Sequence, residues 1–189
     1  MTENFFTSDH HFFHNNIIKH CNRPYKGIEE MHEAFITNWN SVVGKLDVVY
    51  HLGDLALSSN FKAVAEVINR LNGKIRLVLG NHDKNPKKLF DHCKNIEWVR
   101  DYQEETFFIN GNKHFIVMMH YPLFRWNKSH YGSIHLHGHS HGGINEENKG
   151  TRRYDVGVDV NNFTPVNIYD LVEKIETSID PCFDQSENE

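Results

Sequence analysis

Cysteine is scarce in this 189-residue chain: Cys21, Cys93 and Cys182 are the three, widely spaced and odd in number. That excludes a disulfide framework, suits a reducing cytoplasm, and, with no C-x-x-C pair, excludes a zinc knuckle. No apolar run approaches the roughly 18 residues that cross a bilayer, so no membrane span is expected. Residues 1–8 carry neither a basic region nor a cleavage-site pattern, so no signal peptide is expected. Basic residues are outnumbered, 20 Lys and Arg against 25 Asp and Glu, for a net charge of -5. This gives no support for a broad nucleic-acid face, although bound cations can still attract a small nucleotide or a strand end. Internal repeats and low-complexity linkers are absent too.

What the chain has is an ordinary share of core-forming residues, 39% hydrophobic, and 15 histidines. The length suits one domain, read as residues 1–176, with a polar, frayed tail over 177–189. Residues 4–7 form a short β-prone run. Steps of three and four among Ile28, Met31, Phe35, Trp39 and Val42 predict a helix over 27–43. Strands are predicted over 46–52 and 74–79, with a helix over 60–72 between them stopped by Gly73. Pro86 opens a short helix to residue 93. Segments 106–109 and 114–119 read as a hairpin around Asn110-Gly111. Segments 133–137 and 154–160 read as further strands, and 166–175 as a strand end followed by a helix. The order is α/β first and mostly strand later, an α/β fold with a layered sheet core.

Strand ends carry donor residues. Asp9-His10-His11 follows the first strand, Gly53-Asp54 the second and Gly80-Asn81-His82-Asp83 the third. His120 follows 115–119, and Gly138-His139-Ser140-His141 follows the run ending at Leu136. In open α/β sheets the ligand site lies beyond the carboxyl ends of the strands, so these donors are expected to converge. Asp9 and His11, like His139 and His141, are two apart and in extended chain face one side. Glycines 53, 80 and 138 are read as turn residues that point the next side chain back over the sheet. Mixed oxygen and nitrogen donors suit manganese, iron, zinc or nickel.

The ordered series D-x-H, G-D, G-N-H-D, H and G-H-x-H resembles the calcineurin-like metallophosphoesterases, over residues 5–141. The resemblance implies a β-sandwich flanked by α-helices and a centre of two divalent metal ions, manganese first. Asp9, His11 and His141 would hold one metal, and Asn81, His120 and His139 the other, with Asp54 bridging. His82 would protonate the leaving oxygen and Asp83 would orient its turn. A metal-bridging hydroxide would attack phosphorus. Asp-Arg-Gly, which continues the second block in the protein Ser/Thr phosphatases, is absent after Asp54. The expected substrate is a small nucleotide or cyclic nucleotide diester. A nuclease acting on strand ends and a nucleotide phosphomonoesterase are the alternatives, and a non-catalytic scaffold is a remoter one.

His14, Arg23 and Arg125 are candidate substrate contacts, because each follows a motif-bearing segment and arginine suits phosphate. For His10, His20, His32, His51, His92, His114 and His130, surface or packing roles are expected. His135 and His137 are expected to pack across strands. Asp155 and Asp159 are read as solvated acids at a strand end.

Overall fold

A computed structural model describes residues 2–179 of the chain. Strands β1 (Asn4–Thr7), β2 (Val48–His51), β3 (Lys74–Val78) and β4 (Ile96–Arg100) run parallel in one sheet. Antiparallel β9 (Val166–Asn167) completes it in the order β4-β3-β2-β1-β9. A second sheet holds β5 (Gln103–Ile109), β6 (Asn112–Met118), β7 (Ile134–His137) and β8 (Arg153–Asp155) in sequence order. Helices are α1 (Ile17–His20), α2 (Ile28–Val42), α3 (Phe61–Ile68), α4 (Pro86–His92), α5 (Asn145–Asn148) and α6 (Ile168–Ser178).

Side chains alternate across a strand, and here both faces of the first sheet are covered. Phe5, Val49 and Leu77 pack with Met31, Phe35 and Trp39 of α2 and Val64 and Ile68 of α3. Their neighbours Phe6, Tyr50 and Val78 pack with Phe107, Ile116, Met118, Ile134 and Leu136 of the second sheet. Leu171, Val172 and Ile175 of α6 close that inter-sheet layer. The result is the expected sandwich flanked by helices. Among the described residues no helix is long and apolar enough to cross a membrane. Cys21 and Cys93 are free thiols.

Several boundaries differ from the sequence reading. Helix α3 stops at Ile68, not 72, because Asn72 is claimed by α2: its N–H donates to Asn40 Oδ1 at 2.8 Å and its carbonyl accepts from Trp39 Nε1 at 2.9 Å. The strand expected over 154–160 ends at Asp155, whose Oδ1 accepts from Gly157 N at 2.8 Å, and Val158–Val160 form a 3-10 turn. Strand β4 is not among the expected strands, although Ile96 and Trp98 flank the polar Glu97. Helix α1 has too few residues to show a period. Thr177 and Ser178 belong to α6, and the tail from residue 180 lies outside the described residues.

Candidate metal centre

The donors gather at the carboxyl ends of strands from both sheets. β1, β2 and β3 deliver Asp9, His11, Asp54 and Asn81 from the first sheet. β6 and β7 deliver His120, His139 and His141 from the second. The donor atoms of Asp9, His11 and His141 all lie within 4.8 Å of one another. Those of Asp54, His120 and His139 form a like group, and so do those of His11, Asp54 and His82. Asn81 Oδ1 lies 3.2 Å from His120 Nε2. Asp54 Oδ2 is the common point, 3.5 Å from Nε2 of both His11 and His120 and 4.0 Å from Nε2 of His82.

Spacing within extended chain is not how the pairs converge. Asp9 (φ 61°), His11 (φ 52°), Asp54 (φ 54°), His139 (φ 67°) and His141 (φ 46°) all adopt left-handed backbone. Each such residue costs of order 1 kcal/mol or more, and strain of this kind clusters at functional sites. The first two loops are held in this form by each other: Asp9 N–H donates to Gly53 O and His11 N–H to Asp54 O, at 3.0 and 2.9 Å.

Two of the three glycines serve close approach and not turning. Gly53 does have a positive φ of 95°. At Gly80 a Cβ would lie 2.2 Å from Asp54 Oδ1, and at Gly138 one would lie 2.3 Å from Ser8 Oγ and 2.5 Å from Asp9 Oδ2. Only glycine leaves room for these carboxylates.

Supporting contacts fix Asp54, His120 and His141. Asp83 accepts from the N–H groups of Asp54, Leu55 and Gly80 at 2.7, 2.8 and 2.9 Å, tying the third loop to the second. Burial pushes its carboxyl up to about 6 against those bonds. His82 N–H donates to Asp54 Oδ1 at 2.8 Å. His120 Nδ1 meets Leu52 O at 2.8 Å, and His141 Nδ1 meets Asp159 Oδ2 at 2.7 Å, leaving Nε2 of each ring for a ligand.

Charge and burial complete the picture. Burial raises the Asp9 carboxyl to about 7, against the pull of His141 and His120. Burial also raises Asp54, but hydrogen bonding and charge from His120 outweigh it and leave its carboxyl at about 2. Burial lowers His11 to about 3, partly offset by Asp54, so its ring is neutral with a lone pair to give. Buried His11 Nε2 has no hydrogen-bond partner among the described residues, which leaves it available to a cation. For His141 burial acts downward, yet the bonds to Asp159 and Cys21 raise it to about 10.

The residues expected at the rim divide. His14 lines the cleft, with its Nδ1 3.3 Å from His11 Nδ1. Arg23 does not face the cleft. It is 4% exposed, pairs with Asp159 through Nε–Oδ1 and a terminal nitrogen–Oδ2 bonds of 2.8 Å each, and donates to the carbonyls of Asp9 and His10. Arg125 is exposed over Phe124 and lines a second cavity instead. Asp155 and Asp159 are not solvated acids. Asp155 is 3% exposed and accepts from Ser140 Oγ and Gly142 N–H, so it shapes the loop that carries His139 and His141. His10 and His51 are packed, ring nitrogens 2.9 Å apart, and His135 and His137 are buried on the outer face of the second sheet.

The calcineurin-like phosphoesterase superfamily domain matches residues 6–166. The chain belongs to this superfamily. As a calcineurin-like phosphoesterase it hydrolyses phosphoester bonds, and the family depends on metal. It is 38% identical over 181 residues to an uncharacterized protein of Methanocaldococcus jannaschii, covering 93% of each chain. It is 28% identical over 203 residues to the gene 66 protein of Mycobacterium phage L5, covering 93% of this chain and 96% of that one. A protein of unknown function from Aquifex aeolicus shares the fold at a TM-score of 0.71 and 24% identity, over 92% of this chain and 100% of that one.

Proposed function

We propose that this phosphoesterase is a binuclear phosphodiesterase acting on a small nucleotide or cyclic nucleotide ester. The observation that carries the reading is the position of Asp54 Oδ2, 3.5 Å from one histidine of each donor group. A carboxylate there is set to serve two cations at once. On this reading Asp9, His11 and His141 hold one metal, and Asn81, His120 and His139 the other. Manganese is the first choice, and iron, zinc and nickel suit the same donors. Bound there, two divalent cations supply an acidified water and positive charge for the phosphoryl oxygens.

The chain's own groups do the rest. His82, half-exposed at the cleft mouth, carries a proton on its ring to the leaving oxygen. Its backbone N–H keeps Asp54 in place meanwhile. His14 shares that mouth and offers a second ring nitrogen to the ester. Diester preference follows from charge. None of the described residues lining this cleft of about 680 Å³ is Lys or Arg. A monoester brings a charge of about -1.5 to -2 near neutral pH, more than the single charge of a diester, with no lysine or arginine among those residues to meet the excess.

The test is hydrolysis of bis-p-nitrophenyl phosphate and p-nitrophenyl phosphate by metal-stripped protein with manganese added back. Manganese-dependent cleavage of the diester in preference to the monoester is expected. Preference for the monoester would replace the reading with a phosphomonoesterase.

A further inference from the structure

A second cavity of about 640 Å³ plays no part in the chemistry above. It and the metal cleft share wall segments. Tyr121 follows His120 and sets its ring 4.7 Å from that of His139, and the next residue, Pro122, lines the second cavity. On the other side Gly143 lines the cleft and Ile144 lines the second cavity. Adjacent Cα atoms are about 3.8 Å apart, so the walls of the two cavities come within one residue of each other at Gly143 and Ile144, and His139 and Tyr121 are exposed.

Its lining is aromatic and cationic. Phe124 is 85% exposed, so its ring is open to a ligand. Arg125 stands over the Phe124 ring at 5.8 Å. Trp126 is pinned by Nε1 donation to Ser133 O and by packing against His135 at 5.4 Å, which fixes the plane of its indole. Arg153 is braced in the wall by the carbonyls of Glu147 and Leu123, so its charge is fixed in place. Flat rings beside arginines are what a nucleobase needs: a stacking platform and cations for its polar edge and the neighbouring phosphate. The volume falls in the range of small-ligand pockets, about 300–1,000 Å³.

We infer that this cavity holds the nucleoside half of the diester whose phosphate lies in the metal cleft. The inference rests on the phosphodiesterase reading and gives it a specificity site, made of Phe124, Arg125 and Trp126. Aliphatic esters gain nothing from such a cavity, and nucleoside esters gain about the strength of one stacked base.

The experiment compares thymidine 5′-p-nitrophenyl phosphate with methyl p-nitrophenyl phosphate on the manganese-loaded full chain. Phe124→Ala and Arg125→Gln are both surface changes that leave the cores intact. In Phe124→Ala the ratio of kcat/KM values, nucleoside over methyl ester, is expected to fall about 5- to 150-fold, the range of one stacked base. Arg125→Gln is expected to lower the same ratio. An unchanged ratio in both variants overturns the inference. If the wild type cleaves neither ester, the catalytic reading has failed and the site is judged alone, by adenosine binding to the metal-free protein followed through tryptophan fluorescence. Binding that Phe124→Ala weakens keeps the nucleoside site, and no binding by the wild type removes it.

Discussion

Asp159 holds His141: its Oδ2 lies 2.7 Å from the ring Nδ1. The same carboxylate takes both bonds from Arg23, whose remaining donors grip the carbonyls of Asp9 and His10. One buried ion pair thus fixes a donor from the second sheet and the loop that carries two donors of the first. Carboxylates that orient a ligating histidine are typically worth about 10- to 100-fold in metal affinity. Asp159→Asn is therefore expected to weaken manganese binding by about that factor. Titration calorimetry on the metal-stripped protein measures it, and an unaltered affinity would show that His141 needs no such support.

Asp54→Asn is expected to lower the content of both metals, since one oxygen faces both donor groups. Elemental analysis after dialysis gives the count. Two metals retained at wild-type affinity would contradict the shared position.

His82→Ala removes the ring but keeps the backbone N–H that bonds Asp54 Oδ1. Metal content is expected to hold, while turnover of esters with poor leaving groups falls about 10²–10⁴-fold, the usual reach of a general acid. The p-nitrophenyl esters, whose leaving group needs little protonation, are expected to suffer less. Loss of a metal in this variant would make His82 a ligand.

The packed histidines predict an acid limit to stability. Burial lowers His51 to about 3 and His135 to about 4, and holds His10 well below its ordinary value. Between those values and about 6.5 the unfolded chain binds protons at these rings that the folded chain does not. The stability these rings contribute is therefore full above pH 6.5 and is lost as pH drops, by up to roughly 1.4 kcal/mol per pH unit for each ring, opposed by the raised carboxyls of Asp9 and Asp83, which take up protons in the fold over the same range. Urea midpoints at pH 7 and pH 5 should differ in that direction. A higher midpoint at pH 5 would mean that these rings do not outweigh the raised carboxyls of Asp9 and Asp83.

Most of the chemistry was legible in the sequence, because donor identity and order are local facts. Gly-Asp, Gly-Asn-His-Asp and Gly-His-x-His each follow an apolar run, and the runs became strands. The period of α2 and the hairpin at Asn110-Gly111 were equally local, and both elements formed there. Long-range pairing leaves no such trace. Arg23 and Asp159 are 136 residues apart, and nothing near either one says that the guanidinium faces inward. Hence Arg23 read as a phosphate contact and Asp159 as a solvated acid.

The sequence by itself determined which side chains carry the chemistry, and that strands would present them. Only the tertiary structure decided that they come from two sheets and reach one another through left-handed backbone. It also decided that Gly80 and Gly138 stand where a carboxylate needs the room of a Cβ. The physical reason is that composition and period act over a few residues, whereas backbone strain and close approach are set by whichever loop packs opposite.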